Sequence, residues 1–279
     1  MDRSAMDAVF NKKLVFTITA GRTGTAHLAR MLAALPDSTA LDEPDPAFSA
    51  LTRAVAHNPE VARRFLLKLK LPFIAAAAGS IYAETAHGFG KGFLVPMLQM
   101  GLRPGLIFLR RAPREVALAH YGKRLVPGRT PSGNATLFHP ADHNVLALPG
   151  WETLSDYQLC YWYALAVEQR QRRYAEFAAT LQLPYFDATA AELNAFPHFA
   201  ALLRAFGIDY GPELRRAHAR IAGARPAPKP VKRFPPADLD RQEEMVWARI
   251  RASEPDLRAH IDARYAPPAG DKVVRFRAA

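Results

Sequence analysis

Cysteine is nearly absent from this chain. A single thiol, Cys160, rules out an internal disulfide and a cysteine-based metal site. It lies in YQLCYWYAL, where aromatic neighbours point to a packed thiol rather than a nucleophile. Long apolar runs are missing too: none approaches the roughly 18–20 residues needed to span a bilayer. The opening MDRSAMDAVFNKK lacks the apolar core of a secretory signal, so a soluble cytoplasmic protein is expected. No repeat or low-complexity tract is visible. Acidic residues are the scarcer charge, 26 Asp and Glu against 37 Lys and Arg, for a formal net charge of +11. That imbalance favours an anionic partner without choosing among nucleic acid, a membrane surface and a phosphorylated small molecule.

What is present reads as a globular chain. Its 279 residues and 49% hydrophobic content suffice for a full core. Short β-branched or apolar runs (14–20, 38–44, 80–86, 105–111 and 184–189) alternate with helical patterns. Leu28, Met31, Leu32 and Leu35 share one stripe of the pattern over 25–35, which Pro36 ends. Helices are also expected over 58–71, 112–125, 154–181 with Ser155 as N-cap, 190–207 and 240–265. Alternation of this kind predicts an α/β fold of three layers, a mostly parallel central sheet flanked by helices, in a single domain over 1–279. The Gly-, Pro-, His- and Asn-rich stretch 126–150 reads as a long loop or lid, and the proline-rich basic stretch 224–239 as a strap.

In a parallel sheet, ligands sit beyond the carboxyl ends of the strands. Arg22, Glu43, Glu84 and Arg111 all fall at such ends. After the first strand comes AGRTGTAHLARML. Gly21 and Gly24 permit a sharp turn, and the helix behind them offers free N–H groups and a positive dipole end. Arg22 adds a cation with several donors. A triphosphate-binding loop would need four residues between its glycines and then Gly-Lys-Ser/Thr, and this loop has neither.

The same residues carry a resemblance. Arg22-Thr23-Gly24-Thr25 resembles the 5'-phosphosulfate loop of sulfotransferases that use 3'-phosphoadenosine 5'-phosphosulfate (PAPS), with Ala26 in place of the motif's second threonine. Arg111-Ala112-Pro113, closing LIFLRRAPREVALAHY, is similar to that family's 3'-phosphate motif. The family's serine, eight residues on, is here Ala119, followed by His120; Arg114 and Tyr121 are other donors nearby. The motifs are closest to those of tyrosylprotein-type and bacterial members. The resemblance implies a P-loop-like sulfotransferase fold and PAPS as donor, leaving 3'-phosphoadenosine 5'-phosphate (PAP). It implies that Arg22 to Ala26 hold the 5' side and that Arg111 and position 119 hold the 3'-phosphate, with no metal. Glu43 in LDEPDP stands where a glutamate is the general base in those branches, with Asp42 and Asp45 as rivals. His87 is the runner-up, because other branches use a histidine, and Glu84 and Lys91 are candidates for the same cleft.

The acceptor, a small-molecule, sugar, lipid or peptide hydroxyl, is not legible in the sequence, although Tyr157, Tyr161, Trp162 and Tyr163 are candidates to shape its pocket. Lys229, Lys232 and Arg233 of the strap are candidates to cover the nucleotide. His139 and His143, around Asp142, have a metal-like spacing, but Pro140 argues against a helix and no third ligand is evident. Two alternatives stay open: a P-loop-type nucleotide kinase or phosphotransferase, and an inactive sulfotransferase-like nucleotide-binding protein. Nucleic-acid binding would suit the charge, but no reading motif accompanies it.

Overall fold

A computed structural model describes residues 3–224 and 236–265. Five strands, β1 (Lys13–Ile18), β2 (Ser38–Leu41), β3 (Ile81–Glu84), β4 (Gly105–Arg110) and β5 (Tyr185–Thr189), form one sheet in the order β2-β3-β1-β4-β5. Every pairing is parallel, with Phe16 opposite Glu84, Leu41 opposite Glu84 and Arg110 opposite Thr189. All five carboxyl ends therefore reach one edge of the sheet.

Side chains on a strand point alternately to opposite faces, and here both faces are buried. Leu14, Phe16 and Ile18 of β1 join Leu106 and Phe108 of β4 in one apolar cluster with Phe48, Phe65, Phe89 and Phe93. Val15, Ile107 and Leu109 join another with Leu28, Met31, Phe199 and Leu203. A sheet apolar on both sides is stable only between helices, which makes the fold a three-layer α/β architecture.

The helix Thr25–Leu32 buries Leu28, Met31 and Leu32 as its stripe requires. The helix Asp156–Thr180 begins at Ser155, whose hydroxyl accepts from Gln158 N–H while Gln158 Oε1 accepts from Ser155 N–H. Its first turns are buried on every side, so Tyr157, Tyr161, Trp162 and Tyr163 are core residues, and Cys160 is packed among them.

Other elements depart from the sequence pattern. The run expected as one helix over 58–71 is Glu60–Phe65, then a π turn Leu66–Lys70, then Leu71–Ala76. The helix expected over 240–265 is two, Pro236–Ile250 and Leu257–Tyr265, separated around Pro255. Asn194 and Ala195 divide the 190–207 pattern in the same way. The 126–150 stretch contains a short helix, Pro131–Thr136, and buries Val126, Leu137, Phe138, Leu146 and Leu148. Most of the strap, including Lys229, Lys232 and Arg233, lies outside the described residues. No helix among the described residues is long and apolar enough to cross a membrane.

Candidate functional site

The loop leaving β1 turns through left-handed backbone at Gly21 (φ 75°), Arg22 (φ 59°) and Gly24 (φ 103°). For arginine this conformation is costly, and such outliers gather at binding sites. The turn takes the backbone N–H groups out of the strand ladder. From Gly21 through Ala26 they meet no acceptor among the described residues. Free N–H groups leading into a helix start, beside the positive end of its dipole, can cradle an anion. Thr23 is buried with its hydroxyl 2.5 Å from that of Thr19, which fixes the loop from below. Arg22 and Ala26 are exposed at the rim.

Close packing demands glycine at position 24 and favours it at position 21. A Cβ on Gly24 would lie 2.7 Å from the Ala190 Cβ, and one on Gly21 would lie 3.3 Å from the His87 Cβ. The second contact places His87, from the loop after β3, directly against the cradle.

Arg111 arrives from the other side. Its Nη1 donates to the Arg22 carbonyl at 2.8 Å, and its Nε to Glu115 at 2.8 Å. The loops after adjacent strands β1 and β4 are thus joined through one guanidinium that is still partly exposed. The neighbouring Arg110 is different. It is buried, with Nη1 on Glu168 at 2.5 Å and Nε on Asp187 at 2.7 Å. Arg114 pairs with Asp240 and Glu243, so it is committed to the Pro236–Ile250 helix. Ala119 is half-buried, and beside it His120 is buried with Nδ1 on the Val116 carbonyl at 3.0 Å. Burial drives the pKa of His120 down to about 3, which keeps that ring neutral.

Glu43 and His87 form a pair. Glu43 sits just beyond β2 at φ 48°, a second left-handed non-glycine residue at the site. One of its carboxylate oxygens, Oε1, accepts both the backbone N–H of His87 and its Nδ1, each at 2.5 Å. Burial raises the pKa of Glu43, but the two His87 donations outweigh it and leave the carboxyl below its ordinary value. Burial, helped by the cation of Lys91, lowers His87 against the opposing pull of Glu43. Asp42 is raised by burial while the hydroxyls of Thr25 and Thr85 hold it down, Thr85 at 3.0 Å. It therefore touches the first turn of the cradle helix without joining the pair.

Glu84 does not line this cleft. It is fully buried, accepting from Lys70 Nζ at 3.0 and 3.1 Å and from the Tyr82 hydroxyl at 2.6 Å. Asp142 is held by Arg53 at 2.6 and 2.7 Å, and no metal-like grouping of three or more His, Cys, Asp or Glu occurs among the described residues.

Several supports carried no sequence signal. Gln171 Nε2 donates to the Ile18 carbonyl at 2.6 Å and to Leu109 at 3.4 Å, holding the ends of β1 and β4 together. The Tyr163 hydroxyl donates to the Ala20 carbonyl at 2.9 Å, and Tyr265 to that of Arg111 at 3.1 Å. All three act through distant helices, which no local pattern reveals. A cavity of about 540 Å³ opens at the opposite end of the sheet, but its lysines are occupied: Lys12 by the Ala77 and Gly79 carbonyls, Lys13 by that of Gly207.

No protein-family model matches this chain, and no curated protein sequence matches it.

Proposed function

We propose that this protein transfers a sulfuryl group from PAPS to a hydroxyl acceptor. The observation that carries the reading is the run of free N–H groups from Gly21 to Ala26, joined at the Arg22 carbonyl to Arg111. A nucleotide with anionic groups at both its 5' and 3' positions suits two cationic loops held side by side. The amides and Arg22 would take the 5'-phosphosulfate, and Arg111 the 3'-phosphate.

Chemistry follows from the neighbouring pair. The acceptor oxygen attacks sulfur, the bond from sulfur to the 5'-phosphate oxygen breaks, and PAP leaves. Glu43 takes the acceptor proton, oriented by His87, since a hydroxyl is a poor nucleophile until that proton departs. Arg22 and the loop amides stabilise charge growing on the leaving phosphate oxygen. Ala26 supplies only its backbone N–H, and Ala119 supplies no hydroxyl to the 3' side.

Thermal unfolding with PAP, and separately with ATP with and without magnesium, tests the reading. PAP should raise the melting temperature without magnesium, and Arg22→Ala and Arg111→Ala should each weaken it about 10- to 100-fold, the value of one charge-assisted contact. No stabilisation by PAP, or stabilisation that both variants retain in full, overturns the proposal. Stabilisation by magnesium-ATP alone would move the assignment to a phosphotransferase.

A further inference from the structure

Among the described residues, buried charged side chains come with a counter-charge in contact, apart from Lys91. Lys70 has Glu84, and Arg110 has Glu168 and Asp187. Lys91 is only 5% exposed, yet no carboxylate lies within 4.0 Å of its Nζ among the described residues. Its ammonium donates to the Thr136 carbonyl at 2.5 Å and faces the rings of Tyr163 at 5.2 Å and Phe138 at 5.7 Å. Arg170 approaches the same Phe138 ring at 5.0 Å and donates to the Gly90 and Asn144 carbonyls. It too has no carboxylate partner among the described residues.

Carbonyls and ring faces solvate a cation but do not neutralise it. A buried charge without its counter-ion is strongly disfavoured. Between these groups lies a small cavity of about 10 Å³, walled by Ile18, Phe138 and Val167 and bordered by His87, Lys91 and Arg170. That is room for one species of about the size of a water molecule. Buried Lys91 and half-buried Arg170, neither with a carboxylate in contact among the described residues, border a compact, largely apolar space that suits a small anion.

We propose that this cavity binds a single halide ion, chloride in practice, between Lys91 and Arg170. The ion supplies a counter-charge in direct contact, where Lys91 otherwise has only Glu43 beyond His87. It thereby secures the ammonium that grips the Thr136 carbonyl, and with it the hold of the 126–150 segment on the sheet beside His87. Other titratable groups facing Lys91 are Glu43 across His87, Tyr163, and His120 behind Tyr163. Glu43 favours the charged ammonium while Arg170 opposes it, and burial brings Lys91 down to about 7. Halide affinity should therefore fall as pH rises through that value.

The inference does not depend on the sulfuryl-transfer reading, and its test needs no nucleotide. Chloride is titrated against gluconate at constant ionic strength while thermal unfolding of the full chain is followed. Wild type and Arg22→Ala should both show a saturable rise, about 3 °C at ten times the dissociation constant. Lys91→Met and Arg170→Met should lose it. An equal rise in wild type and Lys91→Met, or no rise at all, overturns the proposal. Should Lys91→Met not fold, anomalous scattering from bromide-soaked crystals decides: a peak within hydrogen-bond reach of Lys91 Nζ supports the site. Peaks confined to the Arg22–Arg111 loops, or no peak, refute it.

Discussion

At the scale of single residues, the pairing of Glu43 with His87 has a directional consequence. Glu43 stays ionised to lower pH than an ordinary glutamate because His87 donates to it twice. Replacing His87 by alanine removes the Nδ1 donor, so the carboxyl pKa rises and more alkaline conditions are needed to keep it ionised. The acid limb of the kcat/KM profile should accordingly move to higher pH in His87→Ala. Glu43→Gln should bind PAP normally and lose turnover by 100-fold or more, within the usual range for a general base. Full turnover in Glu43→Gln would remove it as the base. Gly24 makes a second prediction at this scale. Alanine there meets Ala190 at 2.7 Å and must also adopt φ 103°. Gly24→Ala should cost about 1–3 kcal/mol of stability by denaturant unfolding. Adding Ala190→Gly should restore only the part due to contact, because the strained backbone remains.

Among elements, the π turn Leu66–Lys70 stands out because it delivers Lys70 to Glu84 inside the aromatic cluster, 4.4 Å from the centre of the Phe48 ring. Removing one partner of a buried pair strands the other. Lys70→Met should therefore destabilise the fold by about 3–5 kcal/mol, while Lys70→Met with Glu84→Leu should recover a large share of the loss. Chemical denaturation of the single and double variants measures both. The strands and most helices were legible because their signals are local: β-branched apolar runs, one hydrophobic stripe, Ser155 three residues before Gln158. The π turn was not, since its residues continue a helical pattern and differ only in hydrogen-bond register. The break near Pro255 was hidden by helix formers on both sides, and Glu84 read as a cleft acid because its partner lies 14 residues earlier. Arg22, Arg111 and Glu43 could be named from strand ends, and His87 from the resemblance. Their adjacency could not, because it depends on the strand order and on Gln171, Tyr163 and Tyr265 reaching across from distant helices.

Taken as a whole, the molecule arranges its sheet so that the chain turns outward from β1 to β2 and β3 on one side and to β4 and β5 on the other. Loops diverge at that reversal, which opens a crevice at the end of β1. The chain as a whole carries a net charge of +11. Association of a polyanionic nucleotide should then depend on ionic strength: PAP affinity should fall several-fold between 0.05 and 0.5 M salt, roughly the range over which exposed charges become screened. Isothermal titration at several salt concentrations checks this, and an affinity indifferent to salt would count against an exposed bisphosphate site.

Arg111 does more than supply charge, because its guanidinium rests on the backbone of the loop that carries Arg22. The two loops consequently stand like the jaws of a calliper, joined directly by the hydrogen bond from Arg111 to the Arg22 carbonyl and braced by Gln171 across the strand ends. On the proposed reading, such a device would measure the distance between two anions on a ligand rather than their total charge. Adenosine 5'-phosphate and adenosine 3'-phosphate would each fill one jaw, and each should bind more weakly than PAP. A ligand with the same charges at the wrong separation should gain little over either.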